Sequence, residues 1–211
     1  PAKGYDLATR TLTVSTGGKE EALTAEKLLV AVGRKVLSAG LGLEACGVAI
    51  ERGFIKVDDR LRTSCPTIWA IGDVTGGMML AHKASAEGVV AAEAIAGMDV
   101  RRPDPDRIPA CVYCRPEVAT IGLSEEEAKR RGIDYKVAKF PFTALGKAVA
   151  SGHTEGFVKM IAEAKYGEVI GCHIIGAGAP DMIAELSLAR SLEATFHEIG
   201  RTVHAHPTLP E

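Results

Sequence analysis

The sequence predicts part of a doubly wound α/β domain followed by an α+β domain. In the first half, a buried-strand pattern ends at Gly72-Asp73 and leads through a glycine-containing loop into a helix of small residues. Strand, glycine loop and helix in that order form one half of a doubly wound unit. Residues 101–109 then hold three prolines and five charged side chains, which is typical of a linker. Beyond them, runs of short strands flanked by helices indicate an α+β domain.

Composition excludes several functional classes. The 211 residues are 46% apolar with a formal net charge of −2, so neither a disordered chain nor a basic nucleic-acid-binding surface is expected. The longest apolar runs are about ten residues, short of the roughly 20 that a membrane-spanning helix needs. Five cysteines without regular spacing indicate a reducing compartment, and we expect a cytoplasmic protein.

The first half contains four strand patterns and one helix pattern. The run at residues 28–32 is continuously apolar and ends at Gly33, as in a strand buried on both faces. The helix pattern is rich in alanine and is followed by Gly97, a common C-terminal stop. In chain order, the predicted elements are strands at 11–15, 28–32, 53–57 and 68–71 and a helix at 82–96.

The second half contains five strand patterns and two helix patterns. Ser124 and Glu127 have the spacing of a capping box, and Gly132 ends that helix. Pro180-Asp181 opens the second helix. Its expected apolar face is Met182, Ile183, Leu186, Ala189 and Leu192. The predicted strands are residues 111–114, 117–121, 135–140, 157–162 and 169–175.

Asp73 is the first candidate site residue. It follows the last residue of a predicted buried strand, where open α/β sheets bind ligands, and its carboxylate can accept hydrogen bonds from sugar or ribitol hydroxyls. The helix that begins near His82 would present unpaired N–H groups and positive potential to an electron-rich group. The structural alternatives are an ordinary turn aspartate and a histidine that only caps the helix.

The C-terminal run from His204 to Glu211 is the second candidate site. A histidine and a carboxylate can form a general base and the group that orients it. The spacing of His206 and Glu211 does not put them on one helix face, so a loop must bring them together. A solvent-facing polar tail is the structural alternative. Zinc binding through His204 and His206 lacks a third ligand or a cysteine pair.

The Cys111-x-x-Cys114 motif is a weak redox signal. It lies in a strand pattern, where alternation points the two sulfurs to opposite faces, whereas redox motifs of this kind begin a helix. We therefore expect these cysteines to be small structural residues. No strand-GxGxxG-helix fingerprint is present.

Several motifs occur together in a meaningful order. They are the Val-Gly-Arg at 32–34, the Ala-Ile-Gly-Asp at 70–73, the Met-Leu-Ala-His at 79–82 and the His-Ala-His-Pro-Thr-Leu at 204–209. From about residue 12 to residue 211, the chain resembles the C-terminal half of the pyridine nucleotide-disulfide oxidoreductases, and most of all their lipoamide branch. The two histidine-bearing motifs are specific, whereas the Gly-Asp element is common to many flavoproteins.

The resemblance implies FAD, NAD and roles for particular residues. Asp73 would bind the FAD ribitol. Gly33 would lie near NAD. The residues that would line the flavin are Met79, Leu80, Ala81 and His82. His206 would be the catalytic acid–base, and Glu211 would orient it. The peptide bond between His206 and Pro207 would be cis. In a homodimer, this pair would reach into the active site of the other subunit.

The resemblance also implies domain boundaries and an activity. Residues 1–34 would end the NAD-binding domain, 35–103 would complete the FAD-binding domain and 104–211 would form the dimerisation (interface) domain. The whole enzyme would oxidise dihydrolipoamide, pass electrons through FAD to NAD, and serve a lipoyl-bearing component of a 2-oxo acid dehydrogenase or glycine cleavage complex. No cysteine here matches the family's redox pair, so we expect an inactive fragment of a longer protein that retains FAD poorly.

Two alternatives and two departures from the family pattern accompany this interpretation. The alternatives are a glutathione-type disulfide reductase and a non-catalytic dimerisation or docking module. Leu145 stands where the family usually has asparagine, and Pro210 stands beside Glu211 where serine or histidine is usual.

Overall fold

A computed structural model describes all 211 residues and divides into two compact units, Pro1–Val36 and Leu37–Glu211. The first unit is an antiparallel meander of β1 (Ala2–Asp6), β2 (Thr11–Thr16) and β3 (Lys19–Thr24). Gly17 and Gly18 have φ of 58° and 81°, the positive values that a tight two-residue hairpin turn requires. The strand predicted at 11–15 is therefore present as β2.

The strand predicted at residues 28–32 is absent. This segment pairs with no strand, and Leu29, Val30 and Val32 are 88%, 70% and 92% exposed. A continuous apolar run becomes a buried strand only where neighbouring strands supply backbone partners and covering layers. Within Pro1–Val36 the only sheet is the meander, and residues 28–32 do not join it. The burial that their apolar side chains predict is therefore not found in this unit.

The second unit begins with a small apolar cluster around a short hairpin. The hairpin pairs β4 (Ile50–Glu51) with β5 (Phe54–Ile55), and of these only β5 lies within the strand predicted at 53–57. The predicted buried strand at 68–71 is wrong. Trp69 makes only an isolated bridge to Arg62, and Ile71 is 41% exposed. Ala70 is nevertheless buried in one cluster with Val48 and Ile55. The segment therefore packs against the hairpin without joining a sheet.

Helix α1 (Ala81–Ile95) confirms the helix predicted at 82–96. Its alanines have the highest helix propensity of the natural residues. Gly97 follows the last turn with φ of 85°, which explains the stop at this glycine.

The Pro-rich segment at 101–109 is tied to the body of the second unit. Residues Pro105–Arg107 form a 3₁₀ turn, and Arg107 Nη2 lies 2.7 Å from Glu193 Oε1. Ile108 is 9% exposed. The composition indicates a linker, but these contacts hold the segment in place.

A five-stranded antiparallel sheet dominates residues 108–211. Its order is β6-β7-β10-β9-β8. The strands are β6 (Ala110–Val112), β7 (Val118–Gly122), β8 (Tyr135–Pro141), β9 (Phe157–Glu163) and β10 (Val169–Ile175). All five predicted strands are present within a few residues of their predicted bounds.

Four further helices accompany the sheet. They are α2 (Glu125–Arg130), α3 (Gly146–Ser151), α4 (Ala179–Ser191) and α5 (Phe196–Arg201). Ser124 caps α2 by accepting the Glu127 N–H at 3.1 Å, as its spacing predicts. The sequence reasoning missed the one- to two-turn helices α3 and α5, which are too short to show clear periodicity.

Apolar clusters cover both faces of the sheet. Met160 packs against the main apolar cluster, which includes Phe142 and Ile183, whereas its neighbour Ile161 belongs to a second cluster with Ala128. Because adjacent strand residues face opposite sides, the two clusters lie on opposite faces. The predicted apolar face of α4 is buried except for Leu192, which is 70% exposed because the helix ends at Ser191.

No helix among the described residues is both long enough and apolar enough to cross a membrane.

Candidate active site

The C-terminal loop brings His206 and Glu211 together. His206 Nδ1 lies 2.6 Å from Glu211 Oε1, and the other carboxylate oxygen accepts the Thr208 N–H at 3.1 Å. The Thr208 hydroxyl donates to the Ala205 carbonyl at 2.6 Å, which closes the loop on itself. The His206–Pro207 peptide bond is cis. Leu209 packs against the main apolar cluster and anchors the loop to the sheet.

The electrostatics of this pair assign its proton. The hydrogen bond from His206 holds the pKa of the Glu211 carboxyl below its ordinary value, and the Thr208 N–H adds to the effect. An ionised carboxylate can only accept, so Nδ1 carries the hydrogen and donates it. Nε2 makes no hydrogen bond within the chain, and the His206 side chain is 75% exposed. The exposed nitrogen is therefore available to take a proton from a bound group.

His204 belongs to a different contact. Its Nε2 lies 2.8 Å from Glu185 Oε1 on α4, and its side chain is 19% exposed. His204 and His206 thus pair with separate carboxylates. No group of three or more His, Cys, Asp or Glu side chains in the 211 residues could hold a metal ion.

The two cysteines of the Cys111-x-x-Cys114 motif differ in environment. Cys111 lies on β6 and packs partly against the main cluster, and burial raises the pKa of its thiol. Cys114 is exposed beyond the strand, with Sγ 3.0 Å from the Pro116 carbonyl oxygen. All five cysteines are free thiols.

Asp73 lies in a 3₁₀ turn, Gly72–Thr75, and is half-buried. Gly72 has φ of 76°, and a Cβ there would come within 3.2 Å of the Ala84 Cβ. Gly76 ends the turn with φ of 81°, and its own Cβ would come within 3.1 Å of the Phe54 ring. Glycines at both ends therefore let the turn lie against α1 and the β4–β5 hairpin.

The predicted flavin-lining residues form the approach to α1. Met79 and Leu80 are half-buried, and Leu80 is the N-cap, without a side-chain capping bond. Ala81 and His82 are exposed in the first helical turn, whose N–H groups have no partners within the helix. His82 Nε2 lies 2.7 Å from the Pro109 carbonyl oxygen, so its side chain contacts the residue that precedes β6.

Gly33 belongs to the unit Pro1–Val36. It is exposed, with φ of 109°, in a stretch without helix or strand. The glycine therefore occupies a backbone conformation that other residues rarely adopt.

These features fit a flavin. A carboxylate in the turn suits hydroxyl donors, and open helix N–H groups suit an electron-rich ring edge. A Cβ at Gly77 would meet nothing within 4 Å, so the backbone between the turn and α1 is open to a planar group. If FAD binds here, Asp73 and residues 79–82 would hold it.

Sequence reasoning missed the buried charges behind the turn. Lys83 and Glu87, on one face of α1, are 4% and 1% exposed, and their charged atoms lie 3.1 Å apart. Their i,i+4 spacing among alanines was the available signal, but such a pair ordinarily lies on a solvated helix face.

Two cavities flank the C-terminal half. The larger, about 580 Å³, is lined by Cys114, Glu117 and His153 among others, and by none of the predicted site residues. A mainly apolar cavity of about 190 Å³ extends from Phe142 to Leu209 and Glu211. It therefore lies directly under the loop that carries the His206–Glu211 pair.

Comparison with known proteins decides the family. Residues 3–88 match the family model described as pyridine nucleotide-disulphide oxidoreductase, and residues 108–211 match that family's dimerisation domain. The chain belongs to the pyridine nucleotide-disulphide oxidoreductase family. This confirms the resemblance and the predicted fold class, an α/β part of a nucleotide-binding domain followed by an α+β dimerisation domain.

Curated relatives within this oxidoreductase family are named dihydrolipoyl dehydrogenase. The protein from Chlorobaculum tepidum is 50% identical over 198 residues, which cover 94% of this chain and 42% of the relative. The Bacillus subtilis protein is 45% identical over 194 residues, covering 92% and 41%. The mitochondrial protein of Sus scrofa is 45% identical over 201 residues, covering 95% and 39%. The chain thus spans about two fifths of the length of these relatives.

Solved structures of oxidoreductases show the same fold. LpdA from Mycobacterium tuberculosis superposes with a TM-score of 0.85 at 28% identity, covering 95% of this chain and 44% of that one. The HOCl-induced flavoprotein disulfide reductase RclA from Escherichia coli gives 0.82 at 28% identity, covering 96% and 46%.

Proposed function

We propose that this chain is part of a flavoprotein disulfide oxidoreductase that oxidises dihydrolipoamide and passes electrons through FAD to NAD. The observation that carries the proposal is the 2.6 Å contact between His206 Nδ1 and Glu211 Oε1 in the C-terminal loop. The relatives named dihydrolipoyl dehydrogenase support the choice of substrate, since they match more than nine tenths of the chain.

The His206–Glu211 pair can act as a general base toward a thiol. Glu211 holds the ring by Nδ1, so Nε2 is the atom that takes the proton of a substrate thiol. The product of that step is a thiolate, which is the nucleophilic form of sulfur. The imidazolium that results is stabilised by the neighbouring carboxylate, since opposite charges in contact favour the charged forms. Positioned acid–base catalysis of this kind contributes about 10²–10⁴-fold to a rate.

The dithiol's oxidation to a disulfide releases two electrons and two protons. We assign the first proton to His206 and the thiolate's target to a redox-active disulfide of the whole enzyme. Bound FAD would supply a two-electron acceptor between that disulfide and NAD. Asp73 would orient its hydroxyl groups, and the N–H groups at the start of α1 would face its electron-rich edge.

The domain assignment is also part of the proposal. Residues 1–34 would close the NAD-binding domain, 35–103 would contribute to the FAD-binding domain, and 104–211 would form the homodimer interface. A lipoyl-bearing component of a 2-oxo acid dehydrogenase or glycine cleavage complex would be the macromolecular partner. Five free thiols favour a reducing compartment such as the cytoplasm.

The 211 residues alone should not turn over. Cys111 packs against the sheet cluster whereas Cys114 is exposed beyond the strand, so this motif does not form a redox-active pair. Residues 79–82 and Asp73 make only part of a flavin site. We therefore expect the isolated chain to purify without flavin colour.

Dihydrolipoamide-dependent NAD reduction by the full-length protein tests the proposal, with glutathione disulfide reduction measured in parallel. Turnover with dihydrolipoamide alone is the expected result. Turnover with glutathione disulfide alone would move the substrate to the glutathione-type reductases. Flavin-free protein with neither activity would favour a non-catalytic dimerisation or docking module.

A further inference from the structure

A cluster of three charged side chains, Lys83, Glu87 and Arg102, holds the turn that carries Asp73. Glu87 Oε2 accepts the Gly72 N–H at 2.8 Å and lies 3.2 Å from Lys83 Nζ. Lys83 Nζ in turn donates to the Gly76 carbonyl at 3.0 Å and lies 3.4 Å from the Gly72 carbonyl oxygen. Arg102 Nη2 lies 3.5 Å from Glu87 Oε1. The residues on both sides of Asp73 are therefore held by α1.

Stability alone accounts poorly for such a cluster. Removing two charged groups from water costs about as much as their mutual attraction returns, and apolar replacements are often neutral or better. What a buried pair does provide is a defined geometry, because each of its charges must find its partners. Here those partners are the backbone groups of Gly72 and Gly76, so the defined geometry is that of the turn.

The same residues belong to the helix whose start is the other predicted flavin contact. Lys83 lies in the first turn of α1, directly after His82. The cluster thus links the Asp73 turn and the open N–H groups of α1 into one unit.

We propose that Lys83, Glu87 and Arg102 position the Asp73 turn against the start of α1 as a preorganised half of the FAD site. This rests on the proposed function, since it presumes that FAD binds there. The three side chains are positioning residues that act through the turn. Loosening them should weaken FAD retention, because the flavin would then have to order the turn on binding.

The test uses the full-length holoenzyme and the variant Glu87→Gln, which keeps the side-chain shape and removes its charge. FAD release is followed by flavin fluorescence, and exchange of the residue 72–76 amides by hydrogen–deuterium exchange. We expect FAD to bind about 5- to 150-fold more weakly, the usual range for coupled sites, which shows as faster release, together with faster exchange of the Gly72 amide. Arg102→Gln is the second variant. Because the Arg102 side chain is 30% exposed, its replacement should disturb folding less, and it should show a smaller change in the same direction.

Glu168→Gln is the matched control. Glu168 Oε1 pairs with Arg190 Nη1 at 3.0 Å, and the two side chains are 36% and 8% exposed, so an ion pair with one buried partner is broken in the dimerisation domain. It should leave FAD release and exchange in the turn unchanged.

Each outcome decides the inference. The inference would be overturned if Glu87→Gln and Arg102→Gln released FAD at the wild-type rate, or if Glu168→Gln accelerated FAD release equally. Either result would leave the proposed function intact. A wild-type enzyme that holds no flavin would overturn the proposed function and this inference with it.

Discussion

His206 and Glu211 are five residues apart in the chain, yet their side chains meet at 2.6 Å because the loop between them folds back. Thr208 closes the turn through its hydroxyl, and Leu209 anchors it in the apolar cluster. The arrangement leaves the imidazole fixed at one nitrogen and open at the other. A histidine held in this way can exchange protons with an incoming thiol without having to reorient first.

The Glu211 carboxyl should titrate below the ordinary glutamate value of about 4.3. The hydrogen bond from His206 lowers the pKa of the Glu211 carboxyl in the folded protein. The contact therefore stabilises the folded protein at pH values above the carboxyl's unfolded-state pKa, and this stabilisation is lost as the pH falls through the lower folded-state pKa. A ¹³C NMR titration of the Glu211 Cδ measures this directly. The substitution His206→Gln should return the midpoint toward 4.3, and a wild-type midpoint at or above that value would contradict the geometry.

Glu211→Gln should slow dithiol oxidation less than loss of the imidazole does. The amide can still accept the Nδ1 hydrogen bond, but it no longer carries the charge that favours the imidazolium. Steady-state kinetics of both variants in the full-length enzyme, at equal FAD content, give the ranking. An enzyme unaffected by Glu211→Gln would show that the carboxylate does not support the reaction.

Cys172 should resist thiol reagents in the folded protein. Burial raises the pKa of its thiol to about 12, so almost no thiolate is present at pH 8, and the side chain is inaccessible. Timed labelling with peptide mapping should modify the exposed Cys46 and Cys114 first and Cys172 only after unfolding. Labelling of Cys172 as fast as Cys114 would mean that the sheet core is open.

Gly122 and Gly152 provide a matched pair for the packing of the sheet. Their φ values are 74° and 73°, but a Cβ at Gly122 would collide with the Ile170 carbonyl oxygen, whereas one at Gly152 meets open space. Either alanine should cost roughly 1–2 kcal/mol for the left-handed backbone. Gly122→Ala should cost about 1–3 kcal/mol more for overpacking. Urea unfolding measures both, and equal costs would contradict the described strand packing.

The sequence predicts the dimerisation domain better than the first third of the chain. Its strands alternate and pair with neighbours inside the same segment, so local pattern and final structure agree. Residues 28–32 and 68–71 are as apolar as those strands, but the structure gives them no adjacent strands to complete a sheet. Hydrophobicity therefore predicted a burial that depends on pairing partners, which no local pattern reveals.

Part of the site was readable from residue types and part was not. The need for a loop between His206 and Glu211 follows from their spacing, and the structure supplies that loop. The roles of Lys83 and Glu87 depend on which way α1 faces, because an i,i+4 pair looks the same whether it is solvated or buried. Periodicity could not decide this in a helix whose alanines are compatible with burial on any face.

The substitution His206→Gln in the full-length holoenzyme tests the central claim most directly, with the exposed His197→Gln on α5 as the control. We expect His206→Gln to lower the rate of dihydrolipoamide oxidation by about 10²–10⁴-fold, with FAD content and thermal midpoint unchanged, and the control to have no effect. A His206→Gln enzyme that oxidises dihydrolipoamide at the wild-type rate would contradict the assignment of His206 as the acid–base residue.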